Sequence, residues 1–353
     1  MDLEKFLAKL IFLGIHKEQP GFIILSYDFK KVKIFERDIV LPEDFIVELE
    51  KLSTSVKEAY ELYKIGKTFM WNYLSLVNVK PVSNWNDIER YCKDFARYFR
   101  ISIASDLKYR LIKDPPLLEL YFRDWVVCRK NGLGFINTGL AAGLGFAAGK
   151  KEIEAAHLKC QGRGDEMCVV VIGLPENIVK VYPSARIWKC PDIKEYKIGD
   201  ISYKIFNKPR AISNPYSFSH FKKKNLTCFG MRYFYVETTL LHLLEQNISG
   251  KIIFEVAKII GSKIASNMNA EYPQEICNFV SALGFGEINY HKVGGKRIVK
   301  VYHYPYSRLI RNYDFPYLRG ILSGALTQLT GEEVNFKVKK YAVTNTFSLF
   351  LEA

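Results

Sequence analysis

From Ala59 to Gly66 the chain reads Ala-Tyr-Glu-Leu-Tyr-Lys-Ile-Gly, apolar residues at helical spacing ending on glycine. This pattern predicts an amphipathic helix. It returns, with a one-residue slip, as Ile253-Phe-Glu-Val-Ala-Lys-Ile-Ile-Gly261. Phe95 to Phe99 and Phe279 to Leu283 each precede alternating stretches, and hairpin strands are predicted over Leu118–Val127 and Ile298–His303. Gly139-Leu-Ala-Ala-Gly143 is echoed by Gly320-Ile-Leu-Ser-Gly324. Three echoes in one order predict an internal duplication. Each copy reads as helices, antiparallel strands, a Gly-rich helix and a closing hairpin, which is an α+β layer structure with an antiparallel sheet packed on a helical layer.

Strand-rich leads are expected before each copy, over Phe22–Val40 and Ile187–Ile205, and Asn207 to Phe229 reads as a long loop. A boundary near Leu174-Pro175 gives a first domain over 1–175, a connecting segment over 176–229 and a second domain over 230–353. The uncharged run from Leu133 to Gly149 has the small-residue spacing of some membrane helices, but five glycines and Asn137 make it a close-packing core helix. No transmembrane segment is expected.

Composition adds less. The 353 residues are 48% hydrophobic and 25% charged, enough for two cores. The start, Met1-Asp2-Leu3-Glu4-Lys5, lacks an export pattern, and seven cysteines, an odd number, argue against a disulfide framework. A reduced, cytoplasmic protein is expected, with the Lys-, Glu- and Ile-rich, Gln-poor composition of thermophilic archaea. The net charge of +14 favours polyanionic partners. It is spread over clusters at Lys30–Lys33, Lys222–Lys224, Lys296–Lys300 and Lys337–Lys340. Gly143-x-Gly145-x-x-x-Gly149 has the wrong spacing and context for a dinucleotide fingerprint, and no phosphate-loop, nucleophile-elbow or His-Glu-x-x-His motif occurs.

The chemistry concentrates between Cys128 and Cys168. Glu152–Cys160 and Met167–Ile172 read as two strands around the turn Gly162-Arg-Gly-Asp165, so Cys160 and Cys168 flank one hairpin end. Two such thiolates make half of a zinc site, and His157 and Cys128 are the other candidate ligands. Positions 157 and 160 face opposite sides of an ideal strand, so a bulge or strand end is required. Four protein ligands imply a closed, structural zinc. The competing reading is a set of ordinary buried cysteines beside a hydrogen-bonded histidine. Cys92, Cys190, Cys228 and Cys277 have no such company.

Gly139-Leu-Ala-Ala-Gly143, the strand ending in Cys160, and Gly162-x-Gly164-Asp165-x-x-Cys168 followed by Val169–Ile172 together resemble the 4-vinyl reductase domain. That family includes bacteriochlorophyll-pathway proteins, aromatic-sensing domains of bacterial activators and archaeal hydrocarbon-binding proteins. Its fold is similar to TRAPP core subunits and, more distantly, to haem-type nitric oxide sensors. The resemblance covers residues 40 to 173; the second copy matches in helix and glycine pattern only. It implies a zinc held by a cysteine before the Gly-rich helix, an acidic residue on the next strand and two hairpin cysteines. The last three roles fall on His157, Cys160 and Cys168. The first falls near Gly134, and Cys128 fills it only if the loop from Arg129 to Leu133 is rearranged. The second copy, with Lys339, Tyr341, Ala342, Leu349 and Phe350 at the matching positions, cannot hold the same metal.

Three functions follow as expectations. The first, implied by the resemblance, is a non-enzymatic regulatory or scaffold protein binding a hydrophobic small molecule between helices and sheet, with Phe69, Trp71, Phe122, Trp125, Phe135 and Phe146 as candidate lining. The second is a nucleic-acid or ribonucleoprotein binder using His220, Lys222, Lys223, Lys224, Arg232, Lys296 and Arg297. The third, invited by the family name, is an accessory to a tetrapyrrole reductase. The two copies are expected to pair within the chain, or the protein with a second copy of itself.

Overall fold

The structure is a computed structural model that describes residues 16–19, 22–29, 32–53, 55–76, 79–82, 103–195, 226–305, 313–343 and 347–353. Its architecture is α+β, built as two units of the same plan. In the first, β3 (Val32–Pro42) runs straight into α1 (Glu43–Leu52) and then the long helix α2 (Val56–Leu76). Strands β4 (Asp106–Ile112) and β5 (Leu117–Arg123) follow, then a helical turn α3 (Cys128–Asn131) and the Gly-rich helix α4 (Phe135–Gly143). The closing hairpin is β6 (Glu154–Lys159) and β7 (Cys168–Gly173), after which α5 (Pro175–Val181) returns over the sheet.

The second unit repeats this order. Strand β9 (Met231–Glu237) leads into α6 (Thr239–Asn247) and the long α7 (Gly250–Met268). Then come α8 (Pro273–Val280), β10 (Glu287–Val293), β11 (Lys296–Tyr302), α9 (Pro316–Thr330), β12 (Lys337–Val343) and β13 (Phe347–Glu352). The two four-stranded sheets have one topology, β4-β5-β7-β6 and β10-β11-β13-β12, and all their neighbouring strands pair antiparallel.

Glycines set the distance between helices in both units. A Cβ on Gly66 would strike the carbonyl of Ile136, and one on Gly261 the carbonyl of Ile321. Likewise Gly139 lies on the carbonyl of Tyr63, and Gly324 on that of Lys258. Tyr63 and Lys258 each stand three residues before the long helix's glycine. Gly139 therefore corresponds to Gly324, one helical turn from the pairing that the sequence echo predicts, because contact between backbones and not the Gly-x-x-x-Gly string fixes the register.

The units share one more sheet, β1-β2-β3-β9-β8, with β1 at His16–Gln19, β2 at Phe22–Phe29 and β8 at Thr227–Cys228. Strands β3 and β9 pair antiparallel with Ile39 opposite Val236, Val40 opposite Tyr235 and Leu41 opposite Phe234. Val40 and Tyr235 stand the same number of residues before Glu50 and Glu245, two buried glutamates at matching places near the ends of α1 and α6. A pseudo-twofold axis thus passes through the Val40–Tyr235 pair. The predicted lead over Ile187–Ile205 is not a strand where it is described, over 187–195; β9 and β8 take that role, the latter inside the predicted loop. Residues Phe95 to Phe99 and 207–225 lie outside the described residues. One continuous core spans both units, and a small satellite of Leu117, Ala156, Val171 and Ile178 lies under α5 on the outer face of the first sheet. Among the described residues no helix is long and apolar enough to cross a membrane.

Candidate metal centre

Four donors converge where the closing hairpin meets the start of α4. Cys128, Cys160 and Cys168 are fully buried, and their sulfurs and a ring nitrogen of His157 all lie within 4.8 Å of one another. The Cys160 and Cys168 sulfurs are 3.8 Å apart. This Cys3His group could hold a metal ion.

Local structure explains how each donor arrives. The register of β6 on β7 slips between His157 and Lys159, the bulge that parity demands, so His157 and Cys160 reach the same side. The turn is stitched by Asp165, whose carboxylate accepts the Cys160 N–H at 2.7 Å, and by the Arg163 N–H donating to the Cys160 carbonyl at 2.9 Å. On the other side Val127 has φ 71° and ψ −62°, and the Cys128 N–H donates to the Val126 carbonyl at 2.9 Å. That is a γ-turn of the strained hand, held here by a β-branched residue. Buried Glu43 secures it by accepting the Val127 N–H at 2.9 Å and bridging to Arg129 at 2.6 Å. Strain of this kind persists only where surroundings over-determine it, and here it aims Cys128 inward.

The loop from Arg129 to Leu133 begins as the turn α3, capped by left-handed Gly132, and brings Cys128 back over Gly134. A Cβ on Gly134 would lie 2.5 Å from the Cys128 sulfur and 3.0 Å from His157 Nδ1. The sulfur of Cys128 thus sits where a side chain at 134 would project.

Polar groups surround the donors and are themselves satisfied. Asn137 Nδ2 donates to the Cys128 sulfur at 3.3 Å and the Gln161 N–H to the Cys168 sulfur at 3.4 Å. Glu50 accepts the N–H groups of Gly134 and Ile136 at 3.0 and 2.9 Å, fixing the first turn of α4. The neighbouring Cys128 and Cys168 thiols, with His157 adding to their effect, hold the Cys160 thiol far below its ordinary pKa, while burial pushes Cys128 up. One thiol is poised to ionise first. Both ring nitrogens of His157 are buried and lack any hydrogen-bond partner. Orphaned buried imidazole nitrogens beside three thiols fit a metal-ligating set.

Glu43 and Glu50 escape sequence reading because they sit in an ordinary amphipathic helix. The only signal is Glu50's recurrence as Glu245, which accepts the Tyr317 N–H at the start of α9 at 3.0 Å.

The other candidates scatter. Phe122 stacks on Trp125 at 4.0 Å, and Trp125 lies edge-on to His157 at 5.8 Å, so this pair stands beside the four candidate ligands. Trp71 packs on Phe146 and Phe69 on Tyr73, while Phe135 is a half-buried neighbour of the core. Arg232, on β9 opposite Thr227 of β8, is buried and not an exposed cation; burial lowers its pKa. Lys296 and Arg297 are engaged by Glu352 and Glu332. His220, Lys222, Lys223 and Lys224 lie outside the described residues.

Comparison of the chain with protein-family models, curated proteins and solved structures gives no match.

Proposed function

We propose that Cys128, His157, Cys160 and Cys168 bind one zinc ion as a structural clasp in a non-enzymatic regulatory or scaffold protein that takes up a hydrophobic small molecule. The partnerless, buried nitrogens of His157 beside three converging sulfurs support this most directly. Three sulfurs and one imidazole are a common tetrahedral zinc set, and four protein donors leave no open position for catalysis. The clasp joins α3 to both arms of the hairpin, so it would hold the sheet's end against the start of α4. Trp125, packed beside His157, and Phe122, stacked on Trp125, give such a clasp a route to the apolar interior. The 4-vinyl reductase resemblance points to the same ligand class.

Native mass spectrometry of the reduced protein tests both parts. One zinc per chain is expected, lost on Cys160→Ser and kept on Cys190→Ser. Gly134→Ala should also lower zinc content, since its Cβ would press on Cys128 and His157. Protein that takes up no stoichiometric zinc under reducing conditions refutes the clasp. A hydrophobic adduct surviving in the native spectrum would support the ligand reading, and its loss on Trp125→Ala would locate it.

A further inference from the structure

The two units put the same sheet to different use on their outer faces. Reading straight across the first sheet, one row is Arg110, Glu119, Val171, Ala156. Val171 and Ala156 are buried in the satellite core with Ile178 of α5. The equivalent row in the second sheet is Asn289, Lys300, Phe350, Lys340. Here the buried Val171 is replaced by an aromatic ring, the acidic Glu119 by lysine, and the small Ala156 by a second lysine. No apolar roof covers this row among the described residues. Lys337, Lys339 and Lys340 are exposed, and Phe350 and Lys300 are half-buried with the Lys300 ammonium 6.0 Å from the Phe350 ring.

Neighbouring rows extend the pattern. Ile298 and Tyr302, both half-buried, flank Lys300 on β11, and exposed His291 lies opposite Ile298. The acidic groups on this face are Glu287 and Glu352. Glu352 is already met by Lys296 at 2.9 Å and by Lys339 at 3.8 Å, and Glu287 accepts from Asn289 at 2.9 Å. Among the described residues Lys300, Lys337 and Lys340 have no acidic partner. An aromatic ring on a central strand, bracketed by lysines on the strands to either side, suits a polymer that alternates flat bases with phosphates.

We propose that the outer face of the second sheet binds a single strand of nucleic acid, a base stacking on Phe350 while Lys300, Lys340 and Lys337 meet the flanking phosphates. The sequence placed nucleic-acid contacts elsewhere, on the 220–232 segment and the hairpin cations Lys296 and Arg297. This face is distinct from the metal centre, which sits on the inner side of the other sheet.

The test is fluorescence anisotropy of the full chain with a labelled oligothymidylate, against a duplex of equal length. Single-strand binding should weaken about tenfold on Phe350→Ala, as loss of one stacked base implies, and survive Phe350→Tyr. Lys300→Glu with Lys340→Glu, both off the core, should weaken it at least as far and reduce the salt dependence by about 1.4 in log–log slope. Melting by circular dichroism confirms that each variant is folded. The proposal is overturned by absence of binding at low salt, by affinity unchanged in the double charge reversal, or by a duplex bound as tightly as the strand. Polyglutamate displacing the strand with the same dependence on Phe350 would assign the face to an acidic protein instead and equally overturn it.

Discussion

Glu245 shows how one residue can make stability depend on pH. It is buried at the end of α6, where the Tyr313 hydroxyl donates to it at 2.7 Å and the Tyr317 N–H at 3.0 Å. Desolvation outweighs both bonds and lifts its pKa from 4.5 to about 8. The folded state therefore keeps a proton that the unfolded state releases above pH 4.5. Folded chains bind more protons across that window, so this residue's effect is to lower stability as pH climbs from about 4.5 to about 8, by up to about 1.4 kcal/mol per pH unit, and to level off above. Glu245→Gln fixes the neutral form at every pH. Urea unfolding should find the variant close to wild type at pH 5 and more stable, on the order of a few kcal/mol, at pH 8.5. Equal stability differences at the two pH values would show that Glu245 is charged in the fold. Thiol ionisation at the Cys3His cluster is common to both proteins and cancels in the difference.

Between elements, backbone proximity decides which glycines matter. Gly324 brings α9 onto the Lys258 carbonyl of α7, and a methyl there forces the helices apart. Gly324→Ala should cost about 1–3 kcal/mol or more, the range for overpacking. Gly250, at the first position of α7, would place its Cβ 3.9 Å from Pro316, an ordinary contact. Gly250→Ala should be neutral or stabilising by up to about 1 kcal/mol, through a less flexible unfolded chain. Thermal melts of both variants check the contrast. The long helices, the Gly-rich helices and the closing hairpins are legible in sequence because their periodicities are long and uninterrupted. Strand β9 was not, since Met231–Glu237 is buried on both faces and so lacks the alternation that marks a strand. At the site, Cys160, Cys168 and His157 follow from hairpin spacing. The placing of Cys128 does not, because it depends on a γ-turn at Val127 that no local propensity favours, and which Glu43 enforces from a distant helix.

At the scale of the molecule, the pseudo-twofold pairing of β3 with β9 makes the units parts of one cooperative structure. Strand β3 is interior to its sheet, bonded to β2 on one side and β9 on the other. From β3, buried Arg37 reaches into the second unit, donating to the carbonyls of Gly284 and Tyr304 at 3.4 Å each and to that of His303. Phe45 of α1 meets Tyr317 of α9 edge-on at 4.7 Å, inside a core continuous across both units. Opening either unit alone would expose this apolar seam to water and break these Arg37 hydrogen bonds, a cost on the scale of several kcal/mol. Calorimetry of the intact chain should therefore give one transition with matching calorimetric and van't Hoff enthalpies. If zinc is held in the first unit, a chelator should move that whole transition downward, because a ligand bound only to the folded state stabilises everything that unfolds with it. A chelator that instead splits off a separate, lower transition for the first unit would show that the seam does not couple the halves, and that the clasp serves its own sheet alone.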